Sequence, residues 1–304
     1  MPDAAALPVD HLFTEHRSFL WGLCYRMTGS AADADDIVQD TFVRAMERPP
    51  RRLDGPLRPW LVKVAMNLAR DTIRRRRRQE YVGPWLPSPI ETEPPSYEPV
   101  ALEGRYDLIE SVSFAFLLAL EALSPTQRAV LLLRDVFDYS VKETADALDL
   151  SESNVKTTHH RARGAMAAYD GRRVIPTASV QQSTRDALFA FLRCLEQHDV
   201  AGVEALLAED VRTLTDGGGE FQSALRPIVG RDKVTRFYIA ITETPEQMTI
   251  ATPVLNGLPS VFAERRTVEG RQAPRFSFTV ELNDAGKISA IYVVSATRKL
   301  TAIR

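Results

Sequence analysis

The sequence predicts a multidomain chain: two all-α domains followed by an α+β domain. Three observations carry this. The first eighty or so residues place apolar side chains at three-to-four spacing, the period of a helix with one buried face. Helix-start signals then follow one another closely at Ser124, Ser140 and Ser151. After "RRVIPTAS" the pattern changes again, ending in short β-branched runs separated by glycine or Asn-Asp turns.

The elements can be justified in order. Phe19, Leu20, Leu23, Cys24 and Met27 make the stripe of a first helix, which Gly29 ends. Ser30 opens a second, with Asp33 three residues on. Ile37, Val38, Thr41, Phe42 and Ala45 form its buried stripe, and Asp33, Asp36, Asp40 and Glu47 its opposite face. "ERPPRRLDGP" is a loop. A third helix is expected from Pro59 to Gln79, with Leu61, Val64, Ala65, Leu68 and Thr72 inward. Lys63, Asn67, Arg70, Arg74 and Arg77 then fall in one outward stripe. Residues 81–107 contain six prolines and little periodicity, the signature of a linker. Its "GPWLP" carries an apolar pair, Trp85 and Leu86, that is costly to leave in water.

Helical pattern resumes near Leu108. "SPTQ" at Ser124 places an N-cap, proline at the first helical position and glutamine at N3. Ser140 with Glu143, and then Ser151, open two more helices joined by a few residues around Asp149 and Leu150, a helix-turn-helix pattern. In the last of these Val155, His159, Ala162 and Met166 face inward. Ser153, Asn154, Lys156, Thr157, His160, Arg161 and Arg163 are left for the outside. The α+β part is expected to begin with helices at 184–197 and 200–208. "VRTLT", "ATPVL", "SVFAERRTV", "RFSFTVEL" and "KISAIYVVSA" follow as strands of a curved antiparallel sheet, with "GRDKVTRFYIA" as a further helix. The domains expected are residues 8–80, a linker at 81–107, 108–170, a short linker at 171–180, and 181–304.

Composition narrows the function. The chain has 304 residues, 44% of them hydrophobic, so it can bury sizeable cores. It has no apolar run of about eighteen residues, so no membrane contact is expected. Its start, "MPDAAALPVDHLF", lacks a basic segment followed by an apolar one, so a cytoplasmic location is expected. Cys24 and Cys194 stand apart among apolar residues and read as reduced, buried thiols. The net charge of −2 hides strong patterning. Arg51 to Arg78 carries +8, Tyr81 to Glu110 carries −5, and Ser151 to Arg173 carries +3. Two basic islands separated by an acidic one suggest two nucleic-acid contacts joined by a linker. Arginines can neutralise phosphates and stack on bases, and Trp60 adds an aromatic surface of the kind that holds unstacked bases.

Other chemistry is weakly supported. His159 and His160 have no cysteine or acidic ligand at metal spacing, so no metal is expected. Gly217, Gly218 and Gly219 in "DGGGE" are followed by no Lys-Ser/Thr and read as a hairpin turn opened by Asp216, not as a phosphate loop. Asp216, Glu220 and His198 are the residues that could face a pocket. No triad or carboxylate pair is visible, so neither a catalytic residue nor a cofactor is expected. Residues 174–304 balance fifteen basic against fifteen acidic residues, unlike a DNA-binding domain. A surface around Asp216–Glu220 could instead bury Trp85 and Leu86 and set the separation of the two basic modules.

"RSFLWGLCYRMTGSAADADDIVQDTFVRAM" with "RPWLVKVAMNLARDTIRRRRR" resembles the promoter-melting domain of bacterial RNA polymerase sigma factors. "LSPTQRAVLLLRDVFDYSVKETADALDLSESNVKTTHHRARGAM" is similar to their C-terminal helix-turn-helix, and the two-domain plan resembles the extracytoplasmic-function group. "FLRCLEQHDVAGVEALLAEDVRTLTDGGGE" with "PIVGRDKVTRFY" looks like a SnoaL-like domain of the NTF2-like cone fold. The subgroup with that extension carries "WLP" and "DGGG" motifs, matched by Trp85-Leu86-Pro87 and Asp216–Gly219. Glu220 stands where the subgroup has lysine, and "SATRKL" replaces its Asn-Pro motif before Lys-Leu.

The resemblance implies a set of partners. Asp33, Asp35, Asp36, Gln39 and Phe42 would dock on the clamp helices of the polymerase β′ subunit, with β as a further contact. Arg58, Trp60, Lys63, Asn67, Arg70, Arg74, Arg75, Arg77 and Arg78 would face the −10 element, duplex and melted strand. The loop between Arg48 and Pro59 would receive a flipped base. The helix from Ser151 would read the −35 element through Ser153, Asn154, Lys156, Thr157, His160, Arg161 and Arg163. The extension would regulate the other domains, and its cone leaves room for a small ligand. The alternatives are a ligand-responsive helix-turn-helix regulator and, less favoured, an NTF2-like enzyme.

Overall fold

The computed structural model describes residues 9–49, 56–92, 105–242 and 247–303. It divides into two compact units: a helical one (Met1–Gln79, Val100–Ser111, Ala115–Arg173) and a sheet one (Glu80–Pro99, Val112–Phe114, Val174–Arg304).

In the helical unit α1 (Val9–Thr28), α2 (Ala31–Glu47) and α3 (Arg58–Arg76) pack around a common core. Leu20, Leu23, Cys24 and Met27 of α1 are fully buried, with Ile37, Val38 and Phe42 of α2 beside them. Gly29, at φ 67°, lets the chain leave α1, and the Ser30 side chain accepts from the Asp33 amide to start α2. The buried stripe of α3 differs from the expected one. It is Leu61, Val62, Ala65, Met66, Ala69 and Ile73, while Val64, Leu68 and Thr72 are only half-buried. The reason is that α3 is packed on two sides, against α1 and α2 and against helices of the following domain.

That domain comprises α4 (Phe114–Ala119), α5 (Pro125–Asp135), α6 (Val141–Leu148) and α7 (Glu152–Asp170). Ser124 with Gln127 and Ser140 with Glu143 each form a reciprocal capping box. Ser124→Ala is expected to lower the stability of this unit by about 1 kcal/mol, read as a lower urea midpoint with an unchanged slope. Asp149 closes α6 in the left-handed conformation, φ 55°. Only two residues, Leu150 and Ser151, separate it from α7, which gives the tight turn of a helix-turn-helix.

The sheet unit begins with α8 (Ala178–Glu196) and α9 (Val200–Leu206). Thr177 caps α8 two turns earlier than the sequence pattern suggests, because the first turns carry few apolar residues. β1 (Leu207–Asp216), β2 (Ile228–Val229), α10 (Arg231–Ile241), β3 (Met248–Ala251), β4 (Val254–Leu255), β5 (Leu258–Arg265), β6 (Arg275–Leu282) and β7 (Ile288–Val294) complete it. The strand order is β2-β1-β7-β6-β5-β3, with β4 on β5. The sheet is mixed, because β1 and β7 run parallel, which corrects the all-antiparallel expectation. On one face Val211, Val261, Phe278, Val280 and Ile291 pack against Leu188, Phe191, Val234 and Tyr238 of the helices. On the other, Tyr292 stacks on Phe114 with ring centroids 5.1 Å apart. The "DGGGE" segment is a turn at the end of β1, followed by a longer connection to β2 and not by a tight hairpin.

Candidate functional site

The acidic face of α2 is shaped by its neighbours. Asp36, Gln39 and Asp40 are exposed. Asp35 is engaged: it accepts from Trp21 Nε1 at 2.9 Å and lies 3.8 Å from the Arg17 guanidinium. Asp33 is half-buried in the first turn. Phe42 departs from its place in the polymerase-facing set. It is 4% exposed and meets the ring of Phe13 edge-on, because it shares the core stripe with Val38 and Ala45. Exposed Val43 and Met46 lie on the solvent side instead.

The basic stripe of α3 does not face solvent throughout. Lys63 Nζ pairs with the Asp149 carboxylate at 2.5 Å. Arg70 reaches the Leu148 carbonyl and the Thr126 hydroxyl at 3.5 and 3.4 Å. Arg77 donates to the Glu121 and Leu123 carbonyls. Burial first, and then the charge of Arg74, pull the Arg70 guanidinium below its ordinary pKa. Arg74, Arg75 and Arg78 are exposed, the first paired with Asp71 and the second bonded to Thr72. Asn67 and Trp60 are half-buried, and Arg58 lies 3.7 Å over the Phe19 ring. Residues 50–55 of the loop expected to receive a flipped base lie outside the described residues. Arg76, not singled out by the pattern, donates to Thr28 O and to Glu121.

On α7, Ser153, Asn154, Lys156, Thr157, His160 and Arg161 are exposed along one side. Arg163 is also exposed, and its guanidinium is engaged within the protein. Its Nε and Nη2 donate to the Asp135 carboxylate at 3.1 and 2.7 Å, and His159 Nε2 meets the same group at 2.9 Å. His159 and Arg163 are one helical turn apart, so buried Asp135 at the end of α5 fixes the rotation of α7 about its axis. Burial pushes the Asp135 carboxyl up, but the hydrogen bonds from His159 and Arg163 outweigh it and hold it below the usual value.

The segment 80–92 is built into the sheet unit. Asp216, 1% exposed, accepts from Tyr81 OH at 2.6 Å, Leu86 N at 2.7 Å and Gly218 N at 3.0 Å. Lys299 Nζ pairs with it at 2.5 Å, donates also to Leu86 O, and lies 4.4 Å from the Trp85 ring centroid and 4.8 Å from that of Tyr81. Leu86 and Pro87 are buried. Ile90 N and Thr92 N continue the attachment through Asn256 Oδ1 and Val254 O. The glycines permit close approach. A Cβ on Gly217 would sit 2.7 Å from Phe221 O, and one on Gly218, whose φ is +60°, would sit 2.9 Å from Ala296 Cβ. Gly219 packs under Val82. Tyr81 and Lys299 carry much of this cluster and were not singled out by sequence reasoning. The Lys-Leu pair in "SATRKL" was the one available signal. Asp216 is thus occupied by this segment, while His198 and Glu220 are exposed. Among the described residues no group of three or more His, Cys, Asp and Glu is placed to hold a metal ion.

A capped helix-turn-helix beside a three-helix domain with a basic third helix is the arrangement of a DNA-binding protein. Residues 12–79 match the family model for sigma-70 region 2, and residues 113–166 that for sigma-70 region 4. The chain is 30% identical over 302 residues to the extracytoplasmic-function (ECF) RNA polymerase sigma factor SigJ of Mycobacterium tuberculosis, covering 95% of this chain and 92% of that protein. It is 31% identical over 277 residues to SigG of the same organism, covering 81% and 70%. The crystal structure of M. tuberculosis SigJ superposes with a TM-score of 0.71 at 26% identity, covering 96% of this chain and 98% of that one. This chain belongs to the ECF sigma factors of RNA polymerase. The SigJ superposition covers 96% of this chain, so it takes in the sheet unit as well as the helical one. No helix among the described residues is long and apolar enough to cross a membrane.

Proposed function

We propose that this sigma factor binds core RNA polymerase through the exposed acids of α2, docking on the β′ clamp helices with a further contact on β. It then engages the −10 element with α3 and the −35 element with α7, and acts in the cytoplasm where the polymerase works. It performs no covalent chemistry; binding energy that traps unpaired bases lowers the cost of strand opening. The observation that carries this reading is the polar side of α7, exposed while Asp135 locks the opposite flank. The attachment of Trp85, Leu86 and Pro87 to the Asp216–Gly219 turn supports a second element: the extension regulates transcription through the segment it holds. A small ligand in the cone would act through the same attachment.

Run-off transcription with core polymerase on genomic DNA tests the whole. Discrete starts that require both proteins are expected. Tight binding to duplex promoters with no polymerase requirement would instead mark a helix-turn-helix regulator. Asp36→Ala with Gln39→Ala is expected to weaken core binding about tenfold, ~1.4 kcal/mol, without changing the melting temperature. Unchanged co-purification with core would remove α2 from the interface. Arg161→Ala should cost about 1–3 kcal/mol on promoters with a good −35 element and little on those without one. Equal losses on both would refute the division between α3 and α7.

A further inference from the structure

Asn256 and Gly257 form the tight turn between β4 and β5, with φ 51° and 84°. Asn256 is 1% exposed, and two segments grip it. Its Oδ1 accepts from Ile90 N at 3.0 Å, and its Nδ2 donates to Val112 O at 2.6 Å. Its backbone N donates to Ile90 O, and Gly257 N donates to Thr92 Oγ1 at 2.9 Å. Gln181 Nε2 holds the Gly257 carbonyl from α8. The turn itself needs none of these side-chain contacts, because an Asn-Gly pair suits the left-handed backbone unaided. Asn-Gly is also the dipeptide prone to lose its side-chain ammonia, since glycine leaves the carboxamide open to attack by the next backbone nitrogen. Of the four asparagines, Asn67, Asn154, Asn256 and Asn283, this one alone precedes glycine.

We infer that Asn256–Gly257 is a deamidation site that the docked segment 81–92 shields and that prolonged release of the segment opens. Gly257 N, having given its proton to water, bonds to Asn256 Cγ. The Cγ–Nδ2 bond breaks and ammonia leaves, which closes a succinimide ring. Water then opens either C–N bond of the ring, giving aspartate or isoaspartate. The sum consumes water and releases ammonia in equal amounts, with no oxidant and no cofactor. In the docked state both the nucleophile and the leaving group are tied, Gly257 N–H to Thr92 and Nδ2 to Val112. Conversion also opposes redocking. An oxygen in place of Nδ2 meets the Val112 carbonyl, acceptor against acceptor, and a carboxylate enters a buried site. Isoaspartate adds a methylene to the backbone within the Leu255–Leu258 hairpin turn. A reversible release thereby becomes a permanent one. Its consequence for transcription rests on the regulatory role proposed above for the extension.

The test incubates the full chain at mildly alkaline pH and follows the Asn256 peptide by mass spectrometry. Asn283, in the exposed turn between β6 and β7, is the internal reference. Trp85→Ala loosens the other end of the segment, and Thr92→Val removes the acceptor of Gly257 N. Both should speed Asn256 conversion about tenfold or more, toward the rate of the urea-unfolded chain, with Asn283 unchanged. Wild type converting as fast as the unfolded chain, or both variants as slowly as wild type, would overturn the shielding. An equal rise at Asn283 would assign the change to unfolding of the whole unit and overturn it as well. Asn256→Asp introduces the charge of the product. It should red-shift Trp85 emission and speed proteolysis within 81–92. Asn256→Gly, which suits the left-handed backbone and adds no charge, should do so less. Wild-type emission and proteolysis in Asn256→Asp would overturn the permanence of the release. A released segment with unchanged run-off transcription would remove the regulatory role of the extension and leave the deamidation site standing.

Discussion

Asp216→Ala is expected to lower the stability of the sheet unit by about 3–5 kcal/mol, with a fall in its melting temperature on the order of 10 °C. The carboxylate is the hub of a buried set of donors: Tyr81 OH, the amides of Leu86 and Gly218, and the Lys299 ammonium. Removing it takes the paired carboxylate from Lys299, which keeps the Leu86 carbonyl and lies beside two aromatic faces. An uncompensated buried charge costs far more than a surface pair contributes, because water no longer screens it. The segment 81–87 should detach first, since its attachment near Asp216 depends on that group. Red-shifted Trp85 emission and faster proteolysis near residues 81–92 are the readouts, together with altered run-off transcription. Lys299→Met separates the contributions. Methionine keeps the apolar stem but removes the charge, and three neutral donors stay on Asp216, so a smaller loss is expected. Wild-type emission, proteolysis and transcription in Asp216→Ala would show that this cluster does not control the segment.

Arg128→Ala should destabilise the helical unit by a similar amount, about 3–5 kcal/mol. Arg128 is 1% exposed and joins three parts of the unit. It donates to Met27 O at the end of α1, to Leu120 O twice, and to the Glu121 carboxylate. Burial pulls its pKa down to about 10, still well above neutral pH, so the guanidinium stays charged where the protein works. Glu121 shows the complement: burial would raise its pKa, but Arg128 and Arg76 together hold it below the usual value. Truncation leaves two buried carbonyls without their donor and opens a cavity the size of the side chain. Thermal unfolding of the variant measures the loss. Arg128→Met fills most of the cavity and isolates the hydrogen-bonding share. A melting temperature within a degree or two of wild type in Arg128→Ala would refute the assignment of Arg128 as a structural hub.

Much of the candidate site was legible because it depends on local rules. Ser124, Ser140 and Ser151 announce their helices through their own capping bonds, and the short connection around Asp149 follows from how few residues separate two such starts. The outward polar residues of α7 from Ser153 to Arg161 follow from a stripe that repeats with the helix. The grip of Arg163 on Asp135 was missed because spacing alone cannot distinguish a phosphate-seeking arginine from one that also holds a buried carboxylate. Asp135 lies 28 residues away in sequence. Phe42 was read both into the buried stripe and into the polymerase-facing set, and its burial against Phe13 places it in the first.

The sequence by itself determined the order of the domains, the capped helix starts in the first two, the two basic islands, and the motifs that place the chain among the sigma factors. These properties are written in short windows, where propensity, capping and periodicity act between residues a few positions apart. The tertiary structure alone decided which cations are available. Lys63 and Arg77 read as solvent-facing in a single helix, yet they meet oxygens 86 and 44 to 46 residues further along the chain. It also decided the parallel pairing of β1 with β7, and the meeting of Trp85 and Leu86 with Asp216 and Lys299 across 130 and more residues. Helical periodicity specifies a face but not its partner. The partner is chosen by burial and charge compensation summed over the folded chain, and that sum exists only once distant segments are brought together.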